Sequence, residues 1–251
     1  MPALSPTDPP RVGQFGPDVY ANWRASSLGE ITEALEHRLI FRLAGSLHGC
    51  SVLDVGCGYG TLALLNVDNG AARVTGCDPD PRMVARARTK AADRDAHVDL
   101  LVARSQALPF ADSSFDIVAC VAVLTFVSDA DIAVREMARV LRPGGRLVIA
   151  DLGRWSLWAA RRRIRGWFGA NLWRTTRFRT ATELVALITQ TGLVVGSIQG
   201  AIFFPPWTTL ARVMAPFDPR LGEITTLGAA FVAIQGAKPG RGDNQYLATV
   251  R

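Results

Sequence analysis

Short apolar runs closed by glycine, aspartate or proline alternate, through the first 151 residues, with stretches whose apolar positions recur every three or four residues. Ser51–Val55, Arg73–Cys77, Val98–Ala103, Phe115–Val121 and Arg146–Ala150 read as buried strands, because each is too short for a helix and is bounded by turn residues. Arg82–Ala92 and Asp129–Leu141 read as helices. The second is opened by Ser128 or Asp129 as a cap and stopped by Arg142-Pro143-Gly144-Gly145. Ahead of the first strand, Ile31, Leu35, Leu39, Ile40 and Leu43 mark an amphipathic lead-in helix over 28–47, ended by Gly49. Strands alternating with helices predict a parallel, doubly wound sheet with right-handed crossovers.

Beyond Asp151 the pattern changes. Gly153 to Thr182 holds eight arginines, no acid and four of the six tryptophans. A helix from about Thr182 to Thr191 follows, and the apolar runs Leu193–Phe204 and Leu227–Ile234 are suited to pair as antiparallel strands. The expected organisation is one domain over residues 1–251: an N-terminal arm (1–27), a core (28–151), a basic, tryptophan-rich cap (152–182), and a C-terminal helix and strands (183–251).

Bulk properties narrow this picture. An apolar fraction of 49% and mean hydropathy of +0.16 suit strands covered on both faces. The longest apolar run, Ile117–Val127, is too short to span a bilayer. Met1–Pro10 carries four prolines and no leader-like pattern, so a cytoplasmic address is expected. Cys50, Cys57, Cys77 and Cys120 form no C-x-x-C pair and have no nearby histidines, so no metal site is expected. The formal charge of +6 favours an anionic partner and says nothing about fold.

Candidate chemistry begins at Asp54-Val55-Gly56-Cys57-Gly58-Tyr59-Gly60. Closely spaced glycines between a strand and a helix offer backbone N–H groups and a helix N-terminus, with no Cβ to hold a ligand away. Asp78 ends the second strand 22 residues after Gly56, where an acid can accept ribose hydroxyls. The dinucleotide fingerprint would need glycine at position 61, which is Thr61, and no Walker lysine follows. A tight G-x-G-x-G turn therefore suits a nucleoside cofactor without phosphate.

These residues, with Gly76-Cys77-Asp78, Leu108-Pro109-Phe110-Ala111-Asp112-Ser113-Ser114-Phe115-Asp116, Arg135-Glu136 and Val140-Leu141-Arg142-Pro143-Gly144-Gly145, resemble the successive motifs of class I S-adenosylmethionine-dependent methyltransferases. The subgroup most like it contains the ubiquinone and menaquinone methyltransferases, and the resemblance covers about residues 50–151. It implies an α/β fold, a Rossmann-like doubly wound, mostly parallel sheet with a C-terminal antiparallel strand pair and helical cap, 28–151 being the cofactor-binding core. It also implies S-adenosyl-L-methionine as cofactor, with Asp54, Gly56, Cys57, Gly58 and Gly60 at the methionine part, Asp78 and Pro79 at the ribose, and Ser105, Gln106 and Val121 completing the site. The chain departs from the pattern at Arg104, where an acid is common and a cation cannot accept from the adenine amino group.

Methyl transfer is an in-line displacement helped by orientation and a dry site, so a base is needed only for an acceptor that arrives protonated. No catalytic group is assigned; Tyr20 and Asp151 are the candidates. His37, His48 and His97 lie away from the strand ends where ligands bind. Trp23 and Arg24, with Tyr20, either fold over the cofactor mouth or staple the arm to the domain.

A helix over about Ser156–Phe168 would place Leu157, Ala160, Ile164, Trp167 and Phe168 on an apolar face and Arg161, Arg162 and Arg165 on another. Such a helix caps the pocket of a small-molecule or lipidic acceptor, or lies on an anionic membrane through 155–168. No base-reading motif accompanies the charge, so nucleic acid is not expected. The functional expectation is methyl transfer to a small-molecule or lipid- or quinone-like acceptor; the alternative is a catalytically silent cofactor-binding protein associated with anionic membrane surfaces.

Overall fold

The computed structural model describes residues 23–168 and 171–240. Helix α1 (Ser27–Ala44) leads in, its N-terminus capped by Ser26, whose Oγ accepts from Gly29 N at 3.1 Å. It ends at Gly45, with φ +68°, four residues before the glycine the sequence pointed to. Then follow β1 (Ser51–Val55), α2 (Thr61–Asp68), β2 (Arg73–Asp78), α3 (Pro81–Ala92), β3 (Asp99–Val102), β4 (Phe115–Val121), α4 (Ala130–Val140) and β5 (Leu141–Leu152). The chain continues through α5 (Leu157–Trp167), α6 (Asn171–Arg174), α7 (Ala181–Thr189), β6 (Val194–Ala201), α8 (Thr208–Met214), α9 (Asp218–Ile224) and β7 (Phe231–Ala237).

The strands form one seven-stranded sheet in the order β3-β2-β1-β4-β5-β7-β6. Neighbours from β3 to β5 pair in parallel, while β7 runs antiparallel to both β5 and β6. The strand order reverses between β1 and β4, so their C-terminal ends open a crevice there. Strand β5 is longer than its apolar run because Leu141 already pairs with Phe115.

The central strands are buried on both faces, and their alternate residues divide between them, whereas the edge strands β3 and β6 are largely half-buried or exposed, so β3 is not the buried strand its apolar run implied. Val118, Cys120, Leu147 and Ile149 pack with Val134 and Met137 of α4 and Leu184 and Ile188 of α7. Ile117, Ala119, Val148 and Ala150 pack with Leu35, Leu39, Ile40 and Leu43 of α1.

The later sequence motifs brace this frame. Asp116 accepts from Ser51 N at 2.8 Å and from Arg142 at 2.7 and 2.8 Å, tying together the starts of β1, β4 and β5. Glu136 and Arg139 of α4 hold the loop ahead of β4: Glu136 accepts from Leu108 N, and Arg139 donates to the Leu108 and Phe110 carbonyls. The cap leaves and rejoins the frame at one place, since Gly153 and Arg179 form a parallel bridge and Arg154 N donates to Arg179 O at 3.1 Å.

Candidate active site

The β1–α2 loop is built from glycines for two separate reasons. Gly56, Gly58 and Gly60 all have positive φ (+76°, +53° and +83°), a conformation that side-chain-bearing residues rarely adopt. A Cβ on Gly56 would also lie 2.2 Å from Val123 Cγ2, and one on Gly60 would press on Ala87 of α3 at 3.0 Å, whereas at Gly58 it would meet nothing within 4 Å. Gly60 thus serves helix packing, and Gly56 and Gly58 shape the surface of the cavity above the loop.

The loop does not present a row of bare donors. Gly56 N and Cys57 N both donate to Cys77 O, at 2.7 and 2.9 Å, Gly60 N donates to Cys57 O, and Gly58 N donates to Asp78 Oδ2 at 3.0 Å. The sequence expectation of free N–H groups is corrected accordingly. The neighbouring strand and the loop itself consume them, which leaves a concave surface suited to a ligand without a pyrophosphate.

Above the loop lies a cavity of about 1350 Å³. That exceeds the ~300–1,000 Å³ usual for one small ligand, so it has room for a cofactor and an acceptor together. Of the residues the sequence assigned to the cofactor, Gly56, Gly58, Asp78, Pro79, Ser105, Gln106 and Val121 line it; Asp54, Cys57 and Gly60 do not. Cys57 faces the buried interior beside Gly76. Arg104 lines the cavity beside Ser105 and Gln106, and Ser105 Oγ is 3.2 Å from Gln106 Oε1.

Asp78 accepts from Asp80 N through Oδ1 (2.9 Å) and from Gly58 N through Oδ2. Each carboxylate oxygen keeps a second lone-pair site for a hydroxyl donor. Burial raises its pKa, and these two bonds oppose the rise. Beneath the loop, Asp54 is buried with Oδ2 unpartnered among the described residues. Burial, and secondarily the charge of Asp78, pushes its pKa up to about 7.

The orphaned Asp54 oxygen, the open space at Gly58 and the spare acceptor sites of Asp78 together fit a cationic adenosyl ligand. A cation near Asp54 would offset the cost of ionising it, and the ribose hydroxyls have acceptors waiting.

Asp151, a candidate base in the sequence, is 1% exposed and does not line the cavity. Its Oδ1 accepts from Thr125 Oγ1 at 2.5 Å and Leu152 N at 2.8 Å, fastening the Leu124–Phe126 turn to the end of β5. Arg179 donates to the Leu124 carbonyl on the same turn, and Arg177 N donates to Thr125 O. Burial pushes the Asp151 pKa up to about 6, with the Thr125 bond opposing. Tyr20 lies outside the described residues. His37, His48 and His97 do not line the cavity, and burial, then Arg24, takes His37 down to about 4.

The opposite wall belongs to the cap. Trp158 is buried, donates from Nε1 to Phe204 O at 2.8 Å, and meets Trp23 edge-on with ring centroids 6.5 Å apart. Trp23 and Arg24 both line the cavity, and Trp23 joins the start of the described chain to the cap. Arg24 pairs with Glu36 at 2.8 Å.

The faces of α5 are the reverse of what its apolar stripe implied. Trp158, Ala159 and Gly166 pack inward, Gly166 close enough that a Cβ would be 3.1 Å from the Trp173 backbone. Leu157, Ile164, Trp167 and Phe168 are exposed, the last two at 80% and 87%. Arg161, Arg162 and Arg165 line the cavity. One large side chain and two small residues make the docking face, so the stripe of larger residues is left outside.

Sequence reasoning also missed Met83, Ala122, Val123, Pro206 and Thr208, all lining residues. Ala122 follows β4 with φ +54°, a conformation costly for alanine that no sequence signal announces. Pro206 and Thr208 come from a segment with no motif.

A family model described as a methyltransferase domain matches residues 53–149. Among curated proteins, a ubiquinone biosynthesis O-methyltransferase of Idiomarina loihiensis is 32% identical over 165 residues, 63% of this chain and 68% of that protein. Methyltransferase GfsG of Streptomyces halstedii is 40% identical over 127 residues, 50% of this chain and 45% of that protein. The chain spans about half the length of most of the curated relatives it matches. A solved structure from Thermotoga maritima, described as an S-adenosylmethionine-dependent methyltransferase and possible histamine N-methyltransferase, superposes with a TM-score of 0.67 at 24% identity, covering 88% of this chain and 95% of that one.

Proposed function

The chain belongs to the class I S-adenosylmethionine-dependent methyltransferases, and from that premise we propose that it transfers a methyl group to a small-molecule acceptor held against the cap. The observation that carries this reading is a single cavity with the glycine loop and Asp78 in one wall and an arginine–tryptophan surface in another. It is too large for one ligand.

In this reading Asp78 accepts the ribose hydroxyls, Gly56, Gly58 and Pro79 form the floor, and Ser105 and Gln106 meet the adenine, Gln106 being the acceptor that Arg104 cannot be. Asp54 acts from beneath the loop as a buried counter-charge. When bound, the cofactor supplies an electrophilic methyl group on a sulfonium, displaced in line by the acceptor with the electron pair returning to sulfur.

The protein's own contribution is orientation and dryness. Val121, Val123, Phe126 and Trp158 give the cavity an apolar lining, which excludes water from the path of transfer. Among the described residues no histidine lines the cavity, and its acids are already engaged: Asp78 by Gly58 and Asp80, Asp80 by Arg82, Glu36 by Arg24. This arrangement suits an acceptor that arrives with its nucleophile already deprotonated, as a neutral amine, an acidic phenol or a carbon flanked by carbonyls does.

Calorimetric titration with S-adenosylhomocysteine, and tracing of labelled methyl into a fractionated metabolite and lipid extract, test this reading. Binding with label in an organic product supports it. Binding without turnover in any fraction favours the catalytically silent alternative, and no binding removes both.

A peripheral membrane contact is the second reading, favoured by the exposure of Leu157, Ile164, Trp167 and Phe168 on one helix. Among the described residues no helix is long and apolar enough to cross a membrane. In this reading the apolar strip enters the headgroup region and the cavity receives its acceptor from the lipid phase.

A further inference from the structure

Five cationic side chains of the cavity wall besides Arg104 differ in how they are engaged. Arg24 and Arg82 are neutralised by Glu36 and Asp80, at 2.8 and 2.7 Å. Arg162 lies over two rings, 5.4 Å from the centre of Trp158 and 5.1 Å from that of Trp173. Arg161 and Arg165 have no ion pair or hydrogen bond among the described residues, yet both line the cavity.

Residues four apart on a helix stand on one face with their Cβ atoms about 5–6 Å apart, and like charges so placed destabilise the helix. Nothing local relieves the repulsion here, since 153–182 contains no acid and the next one, Glu183, is occupied by Arg154 and the Thr180 cap. Arg104, on the loop after β3, lacks such a twin. The stacking of Arg162 between two rings fixes the face on which the pair is presented.

We propose that Arg161 and Arg165 form an anion subsite in the acceptor part of the cavity, so that the acceptor is a molecule with an apolar or aromatic body and a carboxylate, sulfonate or phosphate group. Two guanidinium forks one turn apart suit a group with several acceptor oxygens, and Trp158 and Trp173 suit the apolar body beside it. The inference rests on the cavity being an active site with cofactor and acceptor in separate parts. Its one rival is that the pair holds the cofactor's own carboxylate.

The test uses the full chain saturated with S-adenosylhomocysteine and two fluorescent probes that differ by a single anionic group, 1-anilinonaphthalene-8-sulfonate and N-phenyl-1-naphthylamine. The expected result is that the sulfonate binds at least tenfold more tightly than the neutral probe, and that R161Q/R165Q removes this advantage while the neutral probe and S-adenosylhomocysteine bind as before. The charge-matched control R212Q/R220Q, altering exposed arginines outside the cavity lining, is expected to change neither probe.

Unchanged sulfonate binding in R161Q/R165Q overturns the proposal, as does an equal loss of both probes or an equal effect of the control. Weakened S-adenosylhomocysteine binding in R161Q/R165Q assigns the pair to the cofactor instead. Absence of S-adenosylhomocysteine binding to the unaltered chain is a different outcome, because it removes the methyltransferase reading itself.

Discussion

The two sides of the cavity are made of different materials. The side proposed for the cofactor is backbone: two lining glycines at positive φ, a carboxylate fixed by two main-chain N–H groups, and a second acid sealed beneath. The cap side is long side chains, arginines stacked on rings or, among the described residues, unpaired, attached to the frame through Trp158, through Arg177 and Arg179 on the Leu124–Phe126 turn, and through a bridge at its base. A surface fixed by main-chain geometry selects one ligand and resists change. A surface of side-chain cations and rings sets chemical character, and its residue types can change with less effect on the sheet.

The sharpest way to break this contrast is Asp78→Ala. Hydrogen bonds to a charged group are worth roughly 1.5–3 kcal/mol each, so losing two to the ribose is expected to weaken S-adenosylhomocysteine about 100-fold or more by calorimetry. Apolar binding at the cap is expected to persist.

Gly56→Ala tests whether backbone shape is the reason for the loop. Positive φ and the 2.2 Å approach to Val123 together are expected to cost roughly 3 kcal/mol, seen as a fall of about 6–12 °C in melting temperature. Gly58→Ala carries only the conformational cost, roughly 1 kcal/mol, because its Cβ meets nothing.

Asp54 makes the cofactor side sensitive to pH. With its pKa raised to about 7, the carboxyl passes from mostly neutral to mostly ionised between pH 6 and 8, and only the ionised form attracts a cationic ligand. Affinity for S-adenosylmethionine is expected to rise up to about tenfold over that range and to be flat in Asp54→Asn. The empty protein should behave oppositely. An acid whose folded pKa is raised stabilises the fold below the ordinary carboxyl range, and that stability is lost as pH rises through about 7. Asp151, raised to about 6, acts in the same direction, so the unliganded chain is expected to melt lower at pH 8 than at pH 6.

The smallest effect concerns the outer face of the cap. Trp167→Ser with Phe168→Ser is expected to leave S-adenosylhomocysteine affinity unchanged and to lower sedimentation with anionic liposomes several-fold. Unchanged sedimentation removes the membrane reading.

The sequence made these sides unequally legible. Strands β1, β2, β4, β5 and β7 follow from short apolar runs because burial on both faces leaves a continuous apolar signature, and β3 and β6 follow from apolar runs although they form the less buried edges of the sheet. Gly56 and Asp78 could be placed at the cavity from the sequence because their position depends on spacing within one strand–loop–strand unit. Asp151 misled, since standing at a strand's end does not tell whether a side chain turns to ligand or, as here, to Thr125. The faces of α5 misled for a related reason: a periodic pattern finds the stripe of large residues, while the docking face uses Trp158, Ala159 and Gly166, two of which carry almost no hydrophobic signal. Pro206 and Thr208 join the cavity only through tertiary folding, and Ala122 through a backbone conformation that its residue type does not favour.

The bridge between Gly153 and Arg179 has a consequence for how this protein diversifies. The intervening residues depart from the sheet and return to it at the same point, with Trp158 and Arg177 tied on the way to Phe204 and Thr125, and the entropy of closing such a segment changes slowly with its length. The span from 155 to 178 is thus expected to accept changes of length and charge wherever the Trp158 and Arg177 anchors are kept. A longer, shorter or differently charged replacement would give another acceptor preference on an unaltered cofactor platform.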